Sequence, residues 1–106
     1  MLNQVILVGR IIEEPIVKEF GNNNQMAVVL VEVERLVNNA DKEKTYDVFQ
    51  IILWKNMMQN YLELCEAGKI IGVKGRLQAN NFITKEKNKF YSCDIVAEKI
   101  SLLNPN

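Results

Sequence analysis

Apolar and polar residues alternate with a period of two along much of the chain, most clearly over Met26–Leu36 (MAVVLVEVERL). Ala27, Val29, Val31 and Val33 form one row. Met26, Val28, Leu30, Glu32, Glu34 and Leu36 form the other, which turns acidic toward its end. Successive side chains of a strand point to opposite faces, so the first row predicts a core side and the second an outer side. Thr45–Trp54 (TYDVFQIILW) repeats the pattern. Phe49, Ile51 and Leu53 share one face, with Asp47 at its start, and Tyr46, Val48, Gln50, Ile52 and Trp54 share the other. Gln4–Ile12 (QVILVGRII) is β-branched and nearly continuous, which predicts a strand buried on much of both faces, with Gly9 at a bulge or bend. Glu13-Glu14-Pro15 breaks it, Ile16–Phe20 continues it briefly, and Gly21–Asn24 (GNNN) predicts a turn tolerant of left-handed backbone.

Over Asn56–Ala67 (NMMQNYLELCEA) the period lengthens. Met57, Tyr61, Leu64 and Cys65 fall at helical spacing, with Asn56 as N-cap and Gly68 past the C-terminus. This stripe predicts a short amphipathic helix that plugs a core. Lys69–Asn80 is strand again. Ile71, Val73, Gly75 and Leu77 make its core row, while Lys74, Arg76, Gln78, Asn80 and then Phe82 make a cationic, hydrogen-bonding and aromatic outer row. Asn80–Lys89 is a polar hairpin loop carrying Lys85, Lys87 and Lys89, and Phe90–Ile100 is the last strand. Val37–Lys44 is a polar, charged loop.

The order is three strands, one helix, two strands. A lone short helix between the third and fourth of five strands would cap one end of a small closed sheet. The prediction is therefore all-β: an OB-fold, a five-stranded Greek-key barrel with one short helix. A ferredoxin-like fold would need a second helix, for which the remaining gaps are too short and polar. The domain spans residues 1–103, and residues 104–106 form a short end.

Composition narrows the function. The 13 basic and 13 acidic residues cancel, so anion binding must come from local segregation of charge. The absence of His removes the commonest general base and metal ligand. No glycine-rich phosphate loop, nucleophile motif or metal-spaced cluster appears. The sequence thus predicts a protein that is not an enzyme and needs no cofactor, metal or small-molecule substrate. The two cysteines, Cys65 and Cys93, lack metal or redox spacing and read as reduced thiols of a cytoplasmic chain. No apolar run is long enough for a signal peptide or membrane span, so no membrane partner is expected.

The opening NQVILVGRI, the middle ILWKNMMQNYLELCEAGKIIGVKGRLQANNF and the last strand FYSCDIVAEKISLL resemble the bacterial single-stranded DNA-binding protein family along essentially the whole chain. The resemblance implies a homotetramer that coats single-stranded DNA without sequence preference in replication, recombination or repair. Aromatics would stack on bases and Lys/Arg would track phosphates. Carried over by position, Trp54 and Phe82 match stacking aromatics, and Arg76 and Gln78 match the family's own Arg and Gln. Two further stacking positions appear here as Leu36 and Val48, and the family's Gly after the third-strand aromatic is Lys55. Lys74, Gln50, Lys85 and Lys87 complete the candidate DNA-binding set.

Other roles compete for the same residues. Trp54 could instead serve a core or subunit interface, and Lys74 and Arg76 could be solvated surface. Arg10 reads as an interface or structural residue, and the three tyrosines at 46, 61 and 91 as packing residues. The family's usual acidic, Phe-ending tail does not follow Asn104-Pro105-Asn106, which fits a trimmed chain or a tailless relative. A tailless OB-fold that docks onto other replication or primosome proteins is the alternative function, motivated by Leu36, Val48, zero net charge and Glu32/Glu34.

Overall fold

A computed structural model describes residues 1–36, 43–80, 82–83 and 85–103, with the backbone alone described at 82, 83 and 90. Most of the loop predicted over Val37–Lys44 and the chain end at 104–106 lie outside the described residues. In chain order the elements are β1 (Val5–Ile11), β2 (Ile16–Phe20), β3 (Asn24–Glu34), β4 (Tyr46–Trp54), α1 (Lys55–Tyr61) with a 3-10 turn over Leu62–Leu64, β5 (Ile70–Ala79), β6 (Phe82–Ile83), β7 (Lys89–Phe90) and β8 (Cys93–Leu102).

Five of these strands close a ring. β1 pairs antiparallel with β5 from Val5 to Arg10, and Arg10 and Ile11 also pair with β3. β3 pairs with β4, β4 runs briefly parallel to β8, and β8 pairs back to β5. This is the five-stranded OB barrel with its one helix between β4 and β5. The alternating rows read from sequence supply its interior. Ala27, Val29, Val31, Ile51, Leu53, Ile71 and Val73 are buried with Ile11, Ile95, Ala97 and Ile100. Met57, Met58, Tyr61, Leu62 and Leu64 pack against this core from the helical segment.

Gly9 permits the closure. A Cβ there would press into the Glu32 carbonyl oxygen and lie 2.7 Å from Val31 Cγ1. β1 can cross β3 this closely only without a side chain at position 9. Gly9 itself pairs regularly with Ile71, so it marks the crossing; the register shift lies instead between β5 and β8 at Lys74/Gly75.

Several expectations are corrected. β1 is not buried on both faces: Ile6 and Val8 stand 70 % and 54 % exposed on its outer side. Apolar sequence marks a surface that avoids water without saying whether this chain covers it. Ile16–Phe20 is not a continuation of β1; it pairs antiparallel with β3 through a turn in which Asn22 and Asn23 are left-handed. The helix starts two residues early, at Lys55, with Trp54 as N-cap and no side-chain cap bond, so Asn56 is not the cap. Its exit is tied down at Gly68 (φ +90°), whose N–H donates to the Ile11 carbonyl at 2.7 Å. Leu77 is exposed at the rim because β1 ends opposite Gly75. There the Asn3 side chain replaces the missing strand, donating to the Leu77 carbonyl (2.7 Å) and accepting from its N–H (2.9 Å). Tyr46 and Tyr91 are exposed; only Tyr61 of the three packs on the core. The hairpin after β5 carries its own short ladder, β6 with β7, where the sequence predicts a loop.

Candidate nucleic-acid interface

The outer rows meet in one transverse line. Ile16 lies opposite Val28, Val28 opposite Ile52, Ile52 opposite Val96, and Val96 opposite Arg76. One step along, Lys18 faces Met26, which faces Trp54. These registers create a shallow groove of about 220 Å³ across β2, β3, β4, β8 and β5. Met26, Val28, Ile52 and Val96 form an apolar floor, and Gln50, Gln78, Asn80 and Asp94 add hydrogen-bonding groups. Trp54 and Lys18 stand at one end. An apolar floor with an aromatic and amide edges suits unpaired bases, which offer π faces and polar edges.

Arg76 is half-buried and donates from Nη1 to Gln78 Oε1 at 3.0 Å, which holds the guanidinium along β5 beside the groove. Lys55 begins α1 just past Trp54, and its Nζ donates to the Asn23 carbonyl at 3.1 Å. Lys85 and Lys87 are exposed on the hairpin between β6 and β7, and Lys87 has a left-handed backbone (φ 64°). Phe82 lies in β6, in register with Phe90.

Other candidates sit apart from the groove. Lys74 is opposite Ile6 on one side and Lys99 on the other, beside an apolar depression lined by Ile6, Val8 and Leu103. Val48 is exposed opposite Glu32, and Leu36 is fully exposed just past β3.

The acidic outer row is neutralised within the chain. Arg10 Nη2 lies 2.7 Å from Glu32 Oε1, and Lys44 Nζ 3.7 Å from Glu34 Oε1. Arg35 pairs with Asp47 at 2.7 Å. Hydrogen bonding to its acid raises each arginine above its ordinary pKa, and the Arg35 bond holds Asp47 below its own. Phosphate repulsion from this end is muted.

Sequence reasoning missed Lys18, Phe20 and Asp94 as members of this surface. The signal is present in Gly21–Asn24: a hairpin turn there folds Ile16–Phe20 back on β3 and carries Lys18 and Phe20 toward Trp54.

A closed five-stranded barrel with a grooved sheet face defines the OB class, whose sheet surface and loops bind oligonucleotides or oligosaccharides. The single-strand binding protein family matches residues 2–103. Single-stranded DNA-binding protein 1 of Lactococcus lactis is 28% identical over all of this chain and 71% of its own length. Single-stranded DNA-binding protein 1 of Staphylococcus aureus is 34% identical over 99% of this chain and 67% of its own. A Plasmodium falciparum SSB solved with single-stranded DNA superposes with a TM-score of 0.78 at 17% identity, covering 98% of this chain and 97% of that one, and so supports the fold. The chain belongs to the single-strand binding protein family, whose members are non-catalytic and bind and protect single-stranded DNA without sequence preference.

Among the described residues no helix is long and apolar enough to cross a membrane.

Proposed function

We propose that this chain binds and protects single-stranded DNA by laying it across the β2–β3–β4–β8–β5 groove. Bases stack on Trp54 and Phe82 and rest on the apolar floor. Gln50 and Gln78 reach base edges, and Arg76, Lys55, Lys85 and Lys87 meet phosphates. Val48 and Leu36 supply weaker, aliphatic contacts, and Lys74 acts at the margin. The observation that carries the proposal is the convergence of Trp54, Gln50 and Gln78, from two strands distant in sequence, on one groove flanked by Arg76. Every base has a π face, so such a surface tolerates any sequence.

The same reading takes residues 1–103 as one DNA-binding domain of a cytoplasmic homotetramer. In support, Ile6 and Val8 form an exposed apolar row that a second copy would cover. The alternative, a module for docking other replication proteins, loses part of its motive because Glu32 and Glu34 are ion-paired internally.

Titration of the chain into long poly-dT at two salt concentrations, followed by Trp54 fluorescence and by sedimentation, tests the proposal. Quenching that weakens with salt, from a species four times the chain mass, is the expected result. No quenching and no complex at low salt would refute it.

A further inference from the structure

Phe20 stands 6.3 Å from Trp54, centroid to centroid, with the rings inclined at 42°. Two features place this pair on the outer surface and not in the core. Phe20 is 46 % exposed and does not belong to the buried cluster that fills the barrel. It also lies two residues along β2 from Lys18, which lines the groove, so both side chains leave the strand on the same side. Lys55, which follows Trp54, lines a small depression with Phe20 at the β2–β3 turn.

We propose that Phe20 is a second base-contacting aromatic, and that Phe20, Trp54, Lys18 and Lys55 form a subsite for one or two nucleotides at the β2–β3 hairpin. The inference rests on the single-stranded DNA reading above and extends it. Rings inclined at 42° present two faces meeting at a corner. A base stacked on one ring meets the edge of the other, a geometry that aromatic groups favour. Lys18 shares the groove with Trp54, and Lys55 shares the adjoining depression with Phe20, so both lysines are near the path that the phosphates of a stacked nucleotide would take. The opposite end of the outer sheet carries Val48 and the Arg10–Glu32 pair; Phe49 beside them packs against the core, and Tyr46, two residues from Val48, is the aromatic nearest to them on that outer face among the described residues. The paired aromatic surface is therefore at the hairpin, and the bound strand runs over β2 there.

The test measures oligo-dT affinity for the wild-type chain, F20A and F20L across a salt series, with thermal melts to verify folding. Stacking by one aromatic corresponds to about a 5- to 150-fold loss of affinity in F20A. F20L should remain similarly weak, and both should keep the wild-type slope of affinity against salt, because no phosphate contact is removed. In an F20W/W54F chain the single tryptophan should be quenched by oligo-dT. F20A binding as tightly as a binding wild type overturns this inference alone. F20L binding like wild type while F20A is weak also overturns it, since Phe20 would then merely prop Trp54. Unchanged fluorescence of F20W/W54F at saturating DNA overturns it too. A wild-type chain that fails to bind overturns both this inference and the reading beneath it.

Discussion

Arg35 Nε donates to both carboxylate oxygens of Asp47 at 2.9 Å, and its Nη2 lies 2.7 Å from Asp47 Oδ1. The Arg35 N–H also donates to the Thr45 carbonyl at 2.8 Å, so the pair fastens the ends of β3 and β4. The Asp47 pKa is held below its ordinary 3.8 by the hydrogen bond from Arg35. A depressed folded-state pKa stabilises the fold above the unfolded value and loses that contribution as pH falls through the folded one. Asp47→Asn should therefore lower the melting temperature near neutral pH. The gap to wild type should close below pH 3.8 as wild type loses the same interaction. Melting curves of both chains over the acid range check this. Because the pair is exposed, the effect should be small and shrink with salt.

Closure of the barrel at Gly9 gives a second prediction. Gly9→Ala places a methyl against the Glu32 backbone and Val31, and overpacking of this kind costs about 1–3 kcal/mol. Gly72→Ala is the control: its methyl would meet only Leu103 Cδ1, at an ordinary 3.6 Å. Denaturant melts should show a large loss for the first variant and little change for the second.

The two thiols differ in environment. Cys65 is fully buried, and desolvation pushes its pKa up to about 11, whereas Cys93 is exposed on β8. A brief pulse of iodoacetamide on the native protein should modify Cys93 alone, as read by peptide mass. Modification of Cys65 should appear only after denaturant is added, since the reactive form is the thiolate.

Lys74 and Arg76 share a row on β5 yet face different surroundings. Arg76 is hydrogen-bonded to Gln78 at the groove, and Lys74 lies between Ile6 and Lys99. Arg76→Glu should weaken oligo-dT binding strongly at low salt. If it removes one phosphate contact, the salt slope falls by about 0.7. Lys74→Glu should have the smaller effect. Equal losses would show that the strand also crosses the face carrying Ile6.

Much of this architecture is legible in the sequence because burial in a barrel imposes a period of two. The rows through Val29 and Ile51 mark both core and outer face, and the switch of period at Met57 locates the helix. Trp54, Gln50 and Gln78 are legible as outer-face residues from their parity, and the family resemblance also singles out Trp54 and Gln78. What escapes depends on pairing across distance. The Gly21–Asn24 turn signals that the chain reverses after Ile16–Phe20, but not which outer-row residues the strand then meets, so Lys18 and Phe20 join the surface only through the pairing register with β3 and β4. The separation of Lys74 from Arg76 follows from where β1 ends, and the exposure of Ile6 from a surface left open by one chain. The pairing of Asp47 with Arg35 depends on the β3–β4 register, which sequence alone does not number.

That bases stack on Trp54 in this groove is the central claim, and the affinity of Trp54→Ala for oligo-dT tests it most directly. The expected result is a loss of about 1–3 kcal/mol with the salt slope unchanged, because a π face is removed and no charge is. A folded Trp54→Ala chain that binds oligo-dT as tightly as wild type would contradict it.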